Sequence, residues 1–149
     1  MRLSQHTDYA LRLLMYLAVH EQRPATVPEV AAVYGISSNH LAKVAQQLVH
    51  HGWVQSIRGR GGGLRLACDP ESVGLGDVIR QTERSITLVE CMGEDSTCPI
   101  EPACDLKGVL GEALEAFLAV VDRYTLADLL QQRDALVPLM VDGRSAAEP

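Results

Sequence analysis

Between residues 7 and 21 the apolar positions fall at Ala10, Leu13, Leu14, Leu17 and Ala18, the three-and-four spacing of a helix with one buried face. Thr7 is the expected N-cap, which places Asp8 in the first turn, where the helix dipole stabilises a carboxylate. A second helical stretch opens at Val27 and Pro28 and runs to Tyr34. After Gly35, Ile36 and Ser37 a third covers residues 38–51. Proline suits a first helical turn and glycine the position after the last, so the order is short helix, tight turn, longer helix. That is a helix-turn-helix. In the longer helix Leu41, Val44, Ala45 and Leu48 share the buried face, which turns Ser38, Asn39, His40, Lys43 and Gln47 outward. These hydrogen-bonding side chains suit base edges and phosphates in a major groove, although the same types also make an ordinary solvated face.

The period then shortens to two. Residues 53–57 and 64–66 alternate as strands, and between them lies Arg58-Gly59-Arg60-Gly61-Gly62-Gly63. The glycines permit positive φ and close backbone approach, while Arg58 and Arg60 put charge at the tip, as expected of a wing laid against a nucleic-acid backbone. A phosphate-cradling nucleotide loop would need Lys-Ser/Thr and a helix after its glycines, whereas here a strand follows. Trp53 is expected beneath the wing. Cys68, at the end of the second strand, reads as a small half-buried residue and not as a ligand.

Further on, residues 69–72 read as a loop and residues 76–83 as a short helix with Val78 and Ile79 inward. From residue 105 to 124 an apolar stripe runs through Leu106, Leu110, Ala113, Phe117, Val120 and Tyr124, widened by Val109, Leu114, Leu118 and Val121. A helix of that length spans about 30 Å, more apolar face than a small winged domain can cover, and a homodimer is the natural solution. Gly108 and Gly111 lower helix propensity and so suggest close approach by another element. Thr125 can cap a last short helix to Leu130. The expected fold is mainly α with a small β-wing. Its parts are a winged helix-turn-helix domain (1–75), a loop and dimerisation helix (76–130), and a C-terminal tail (131–149), disordered from residue 143.

Charge also divides the chain, at residue 68. Residues 1–68 carry seven Lys/Arg against three Asp/Glu and all five histidines, whereas residues 69–149 carry six against sixteen, for a net charge of -6. The basic half would attract a polyanion, and double-stranded DNA is the obvious one. The apolar run 10–19 is interrupted by Arg12 and lacks a following cleavage signal, so the chain is expected to be cytoplasmic, with no membrane association. No residues are arranged as an activated nucleophile, and the chain reads as a non-enzyme.

The remaining chemistry lies in Cys91, Cys98 and Cys104, three thiols within fourteen residues, with Pro99 and Pro102 holding the segment open. Cysteines in a chain of this size, long enough to bury a core, suggest metal binding or redox sensing before a disulfide framework. Iron in an iron-sulfur cluster takes a thiolate at each protein-held corner, so three thiolates leave one corner to a different donor. Glu90, Glu94, Asp95, Glu101 and Asp105 are near enough in sequence to supply it, and each is equally explained as a residue that keeps a loop solvated.

Several segments together resemble the iron-sulfur winged-helix repressors: Met1-Arg2-Leu3-Ser4, Thr7-Asp8-Tyr9-Ala10-Leu11-Arg12, Arg58-Gly59-Arg60-Gly61-Gly62-Gly63-Leu64, Leu75-Gly76-Asp77-Val78-Ile79-Arg80, the three cysteines and Tyr124-Thr125-Leu126-Ala127-Asp128-Leu129. The resemblance covers residues 1–130. Asp8 and the segment 124–129 make the chain most similar to the branch that senses nitric oxide. Members that use a histidine near the third cysteine are less similar, since no histidine follows His51. The resemblance implies that Asp8 of the partner subunit completes a cluster held by Cys91, Cys98 and Cys104, with 4Fe-4S preferred over 2Fe-2S. It further implies that the cluster-loaded homodimer represses nitric oxide detoxification genes and that nitrosylation frees the operator. A carboxylate is a hard donor beside soft thiolates, so its bond to iron should be labile.

Other readings belong to different classes. The same fold could be an iron- or redox-responsive member of the family. It could hold structural zinc, although zinc favours closed Cys/His tetrahedra with close cysteine pairs, absent here. An electron carrier would need the cluster but no wing, and a thiol-disulfide sensor would need no iron.

Overall fold

The computed structural model describes residues 2–140. Helix α1 spans Gln5–Val19, α2 Val27–Tyr34 and α3 Ser38–His50. Strands β1 (Val54–Ile57) and β2 (Gly63–Leu66) follow, then α4 (Leu75–Thr82), α5 (Leu106–Val121) and α6 (Arg133–Leu139). The expected fold class is present: mainly helical, with a two-stranded antiparallel wing pairing Val54 with Leu66 and Ile57 with Gly63. Among the described residues no helix is long and apolar enough to cross a membrane.

Helix α1 starts earlier than its periodicity suggests, and its cap is Ser4, whose hydroxyl accepts from the Thr7 amide. Thr7 is not the cap. Its side chain is fully buried, and its hydroxyl bonds to that of Thr82 on α4 at 2.9 Å. A threonine locked against a neighbouring helix cannot serve free amides, so the cap falls to the serine one turn earlier.

The core closes over the buried face of α1. Ala10, Leu13, Leu14 and Leu17 are buried, as are Val30 of α2, Leu41, Val44 and Leu48 of α3, Val54 of β1 and Val78 of α4. Thr26 and Glu29 form a reciprocal capping box at α2, and Gly35 ends that helix at φ 63°, leaving Ser37 to cap α3. The turn between α2 and α3 is the one the sequence predicts. Glu29 also accepts from Tyr16 at 2.8 Å and pairs with Arg23. The Arg23 guanidinium is the chief reason that its carboxyl is held at about 2, with Tyr16 and the Thr26 amide adding to the effect against partial burial. Desolvation, followed by Glu29, pushes Tyr16 up to about 12.

Two long-range backbone contacts finish the domain. Ala25 exchanges both hydrogen bonds with Leu64, at 2.9 and 2.7 Å, adding a one-residue third strand to the wing. A side chain at Gly63 would lie 2.6 Å from the Ala25 carbonyl oxygen, and one at Gly62 would lie 2.2 Å from that of Ile57, so both positions need glycine for close approach. The other contact joins segments far apart in sequence: Leu75 donates to the Tyr124 carbonyl and Leu126 to that of Val73. Leu126 and Met140 consequently bury in the same core as α1.

That stitch shortens the long helix. Helix α5 ends at Val121 and not at Tyr124, and its sixteen residues span about 24 Å, not 30. Asp122 turns to Arg80 on α4 in a bidentate pair at 2.6 Å. Residues 70–72 and 127–130 are single 3-10 turns. At the second, Thr125 does not cap by accepting; its amide and hydroxyl donate to Asp128. Part of the expected tail is helical, since α6 occupies Arg133–Leu139 and is held to α1 by Arg133, which bonds to Glu21 and the Val19 carbonyl. The disorder expected from residue 143 falls outside the described residues.

Candidate functional site

The outward face of α3 is narrower than the sequence suggests. Ser38, Asn39 and Lys43 are exposed, and Gln46 continues their stripe. Gln46 is absent from the sequence-derived set, yet its three- and seven-residue spacing from Lys43 and Asn39 marks it. His40 and Gln47 lie at the edge of that face. The His40 ring meets the Tyr9 ring edge-on at 4.9 Å and lies 5.9 Å from that of His6. Gln47 bonds through Oε1 to the His6 imidazole, and its Nε2 donates to the Gln81 carbonyl of α4. Its amide is therefore occupied in tying three helices together. His6, His40 and Gln47 line a cleft of about 720 Å³ with Ser4, Gln81 and Arg84. At the wing tip Arg58 and Arg60 are exposed, and among the described residues neither forms an ion pair.

The cysteines sit on the long connection between α4 and α5. Cys91 is in the 3-10 turn Glu90–Met92, Cys98 precedes Pro99, and Cys104 follows the 3-10 turn Glu101–Ala103, two residues before α5. All three are half-buried free thiols. Among the described residues no three His, Cys, Asp or Glu side chains converge as a metal-holding group, so a single chain presents these donors without assembling them. Their chemistry nevertheless fits a thiolate-bound centre: three unpaired thiols on one loop, partly shielded from water, with a cation at hand. Lys107 is that cation. Its pKa is raised chiefly by its bond to Glu101, and Cys91 contributes to the shift.

The nearby carboxylates divide into two groups. Glu90 accepts from both the amide and the hydroxyl of Thr97, and Glu101 from Lys107, and these bonds lower the pKa of each. Glu94, Asp95 and Asp105 are exposed. Asp8 is elsewhere, on α1, with its side chain 45% exposed and its oxygens 3.0 and 3.1 Å from the Arg12 guanidinium. Arg12 in turn lies 5.7 Å from the ring centre of Tyr34 on α2. Cys68 packs half-buried against the core of the winged domain.

Beyond the cysteines α5 presents an uncovered apolar face. Leu106, Val109 and Val120 are 57, 61 and 45% exposed, and Leu114 is the one residue of this helix that the chain buries. Among the described residues no atom outside its own helix comes near a side chain built at Gly108 or Gly111, so none of them makes the close approach that these glycines suggest.

Residues 3–132 match the family described as Rrf2, iron-dependent transcriptional regulator. The chain belongs to the Rrf2 family. A relative from Halalkalibacterium halodurans, the HTH-type transcriptional regulator NsrR, is 49% identical over 142 residues, covering 94% of this chain and 97% of its own. Among solved structures, a putative transcriptional regulator from Listeria innocua superposes with a TM-score of 0.72 at 30% identity, over 88% of this chain and 87% of the other. IscR from T. potens does so with 0.71 at 27%, over 89 and 88%. The winged-helix fold and the resemblance read from the sequence are thus those of Rrf2 transcription regulators, and this Rrf2 chain carries its cysteines between the helix-turn-helix head and the uncovered helix.

Proposed function

We propose that this Rrf2 protein is a homodimeric, DNA-binding repressor that holds an iron-sulfur cluster and releases its operator in response to nitric oxide. One observation carries the reading: three free, half-buried thiols occupy the segment that joins the helix-turn-helix head to a helix on which Leu106, Val109 and Val120 stay exposed. A donor set placed there can be linked both to dimer pairing and to the posture of the DNA-binding head. The name of the 49% identical relative agrees with it.

Cys91, Cys98 and Cys104 would hold the cluster, with 4Fe-4S favoured over 2Fe-2S, and Asp8 of the partner subunit would supply the oxygen donor. When bound, such a centre supplies an iron with a replaceable ligand, open to a small diatomic molecule. The chain's own part is positional. Asp8 must exchange Arg12 for its new role, which its exposed, solvent-screened pairing permits at little cost. Leu106, Val109 and Val120 pair with the same face of a second copy, and the two-fold relation sets two α3 helices toward paired half-sites about one turn of DNA apart. Ser38, Asn39, Lys43 and Gln46 enter the major groove. Arg58 and Arg60 meet the adjacent backbone, and His40 and Gln47, at the edge of that face, brace α3 against its neighbours.

Oxygen-free purification tests this reading. The protein should be coloured, contain iron and sulfide, and bind its operator with a steep salt dependence that nitric oxide abolishes. Colourless protein that binds normally would refute it. Asp8→Ala should alter the visible spectrum and the nitric oxide response; a variant unchanged in both removes Asp8 from the ligand set. The family's description as iron-dependent favours a second reading, in which iron supply is the signal. In that case iron chelation, not nitric oxide, would release the DNA.

A further inference from the structure

We propose that Glu90 and Glu101, two carboxylates that sequence alone offers as fourth ligands, are positioning residues that hold the cysteine loop partly closed, so that less of it remains to be ordered when the three thiols gather on a metal. The inference rests on the reading of Cys91, Cys98 and Cys104 as a metal-holding set.

The loop's own backbone cannot do this. Among the described residues its backbone hydrogen bonds are all local: Met92 to Val89, Gly93 to Glu90, Glu101 to Cys98, Ala103 to Ile100 and Cys104 to Glu101. Longer spans are closed by side chains. Glu90 Oε1 accepts from the Thr97 amide at 3.1 Å and from its hydroxyl at 2.8 Å, across seven positions. Cys91 directly follows the glutamate and Cys98 directly follows the threonine, so this bond brackets the first two thiols. Glu101 accepts from Lys107 across six positions, with Cys104 midway between them. This second clamp fixes the third thiol to the first turn of α5.

Gathering three thiolates from an open loop costs closure entropy, and a loop closed beforehand has met part of that cost. Groups that orient ligands without touching the metal act in this way. Both carboxylates are on the surface and remote from the core, so their loss should leave the fold intact.

Anaerobic titration of the reduced, metal-free full-length chain with Co2+ alone reads the effect, through thiolate-to-cobalt absorption. Glu90→Ala and Thr97→Val should each weaken Co2+ binding by about three- to tenfold, the double variant no further than either single one. Glu90→Gln, which keeps an acceptor oxygen, should stay near wild type. The saturated spectrum and the thermal unfolding of the metal-free chain should be the same throughout. Lys107→Met should act like Glu90→Ala. If Glu90→Gln weakens binding and shifts the spectrum while Thr97→Val does nothing, Glu90 is a ligand and the positioning role is overturned. If the band depends on Cys91 yet none of the clamp variants alters affinity, positioning fails and the metal-centre reading stands. A wild-type chain without a thiolate band, or a band that survives in Cys91→Ala, removes the metal centre and the proposal with it.

Discussion

The winged head and the helix beyond the cysteines each carry a periodic apolar stripe, yet one is finished and the other is not. In the head, α1 is enclosed by α2, α3, α4, the wing and the returning segment 124–126. In α5 Leu106, Val109 and Val120 stay exposed, Leu110, Leu118 and Val121 are half-covered, and Leu114 alone is buried. The contrast teaches that periodicity reports a face that must be covered, not what covers it. The head covers its own; α5 offers the face that a second copy covers in the proposed dimer.

Substitution in the head should give the largest effect. Leu13→Ala opens a cavity in a fully enclosed site and should cost about 2–5 kcal/mol in denaturant unfolding. Val109→Glu should change the unfolding of the single chain by less than ~0.5 kcal/mol, since Val109 is 61% exposed, while converting the dimer to monomer in sedimentation. If Val109→Glu unfolds the chain, or leaves the dimer intact, the contrast between the two regions collapses.

A finer test separates the two sides of α3. Gln47→Ala should destabilise the metal-free chain by about 1 kcal/mol, because it breaks the ties to His6 and Gln81. Lys43→Ala should leave stability unchanged and lower the slope of log affinity against log salt by about one. The smallest effect concerns acid. Glu29 is held at about 2, below its ordinary value, so it stabilises the fold fully above about pH 4.5 and loses that contribution as the pH falls toward 2. Glu29→Gln should therefore show a shallower decline in urea midpoint between about pH 5 and pH 2.5 than the wild type. Glu90 and Glu101 are lowered too, but on the surface, where solvent screening makes the matching effect smaller.

Much of this was legible from residues alone, where the information was local. Pro28 and Gly35 bracket α2, the spacing of Leu41, Val44, Ala45 and Leu48 orients α3, and the glycine run marks the wing. What escaped is non-local. Nothing near Ala25 announces a bridge to Leu64, and nothing near Tyr124 announces the crossing to residues 73–75 that ends α5 early. Ser4 and Thr7 are both good caps by type, and the choice between them is made by Thr82, seventy-five residues from Thr7. At the candidate site the three thiols and the tip arginines could be named from spacing. The occupation of Gln47, Glu90 and Glu101 could not, because each depends on a partner brought near by folding.

The crossing of residues 73–75 with 124–126 gives the molecule a hairpin topology on a larger scale. Helix α4 stays packed on α1 through Val78 and the Thr82–Thr7 bond, and the chain that leaves after it returns to the start of the same helix, where Leu75 meets Tyr124 and Arg80 meets Asp122. In the proposed homodimer, a shift between two α5 helices would be delivered to α4 at that point, and Gln47 ties α4 directly to α3.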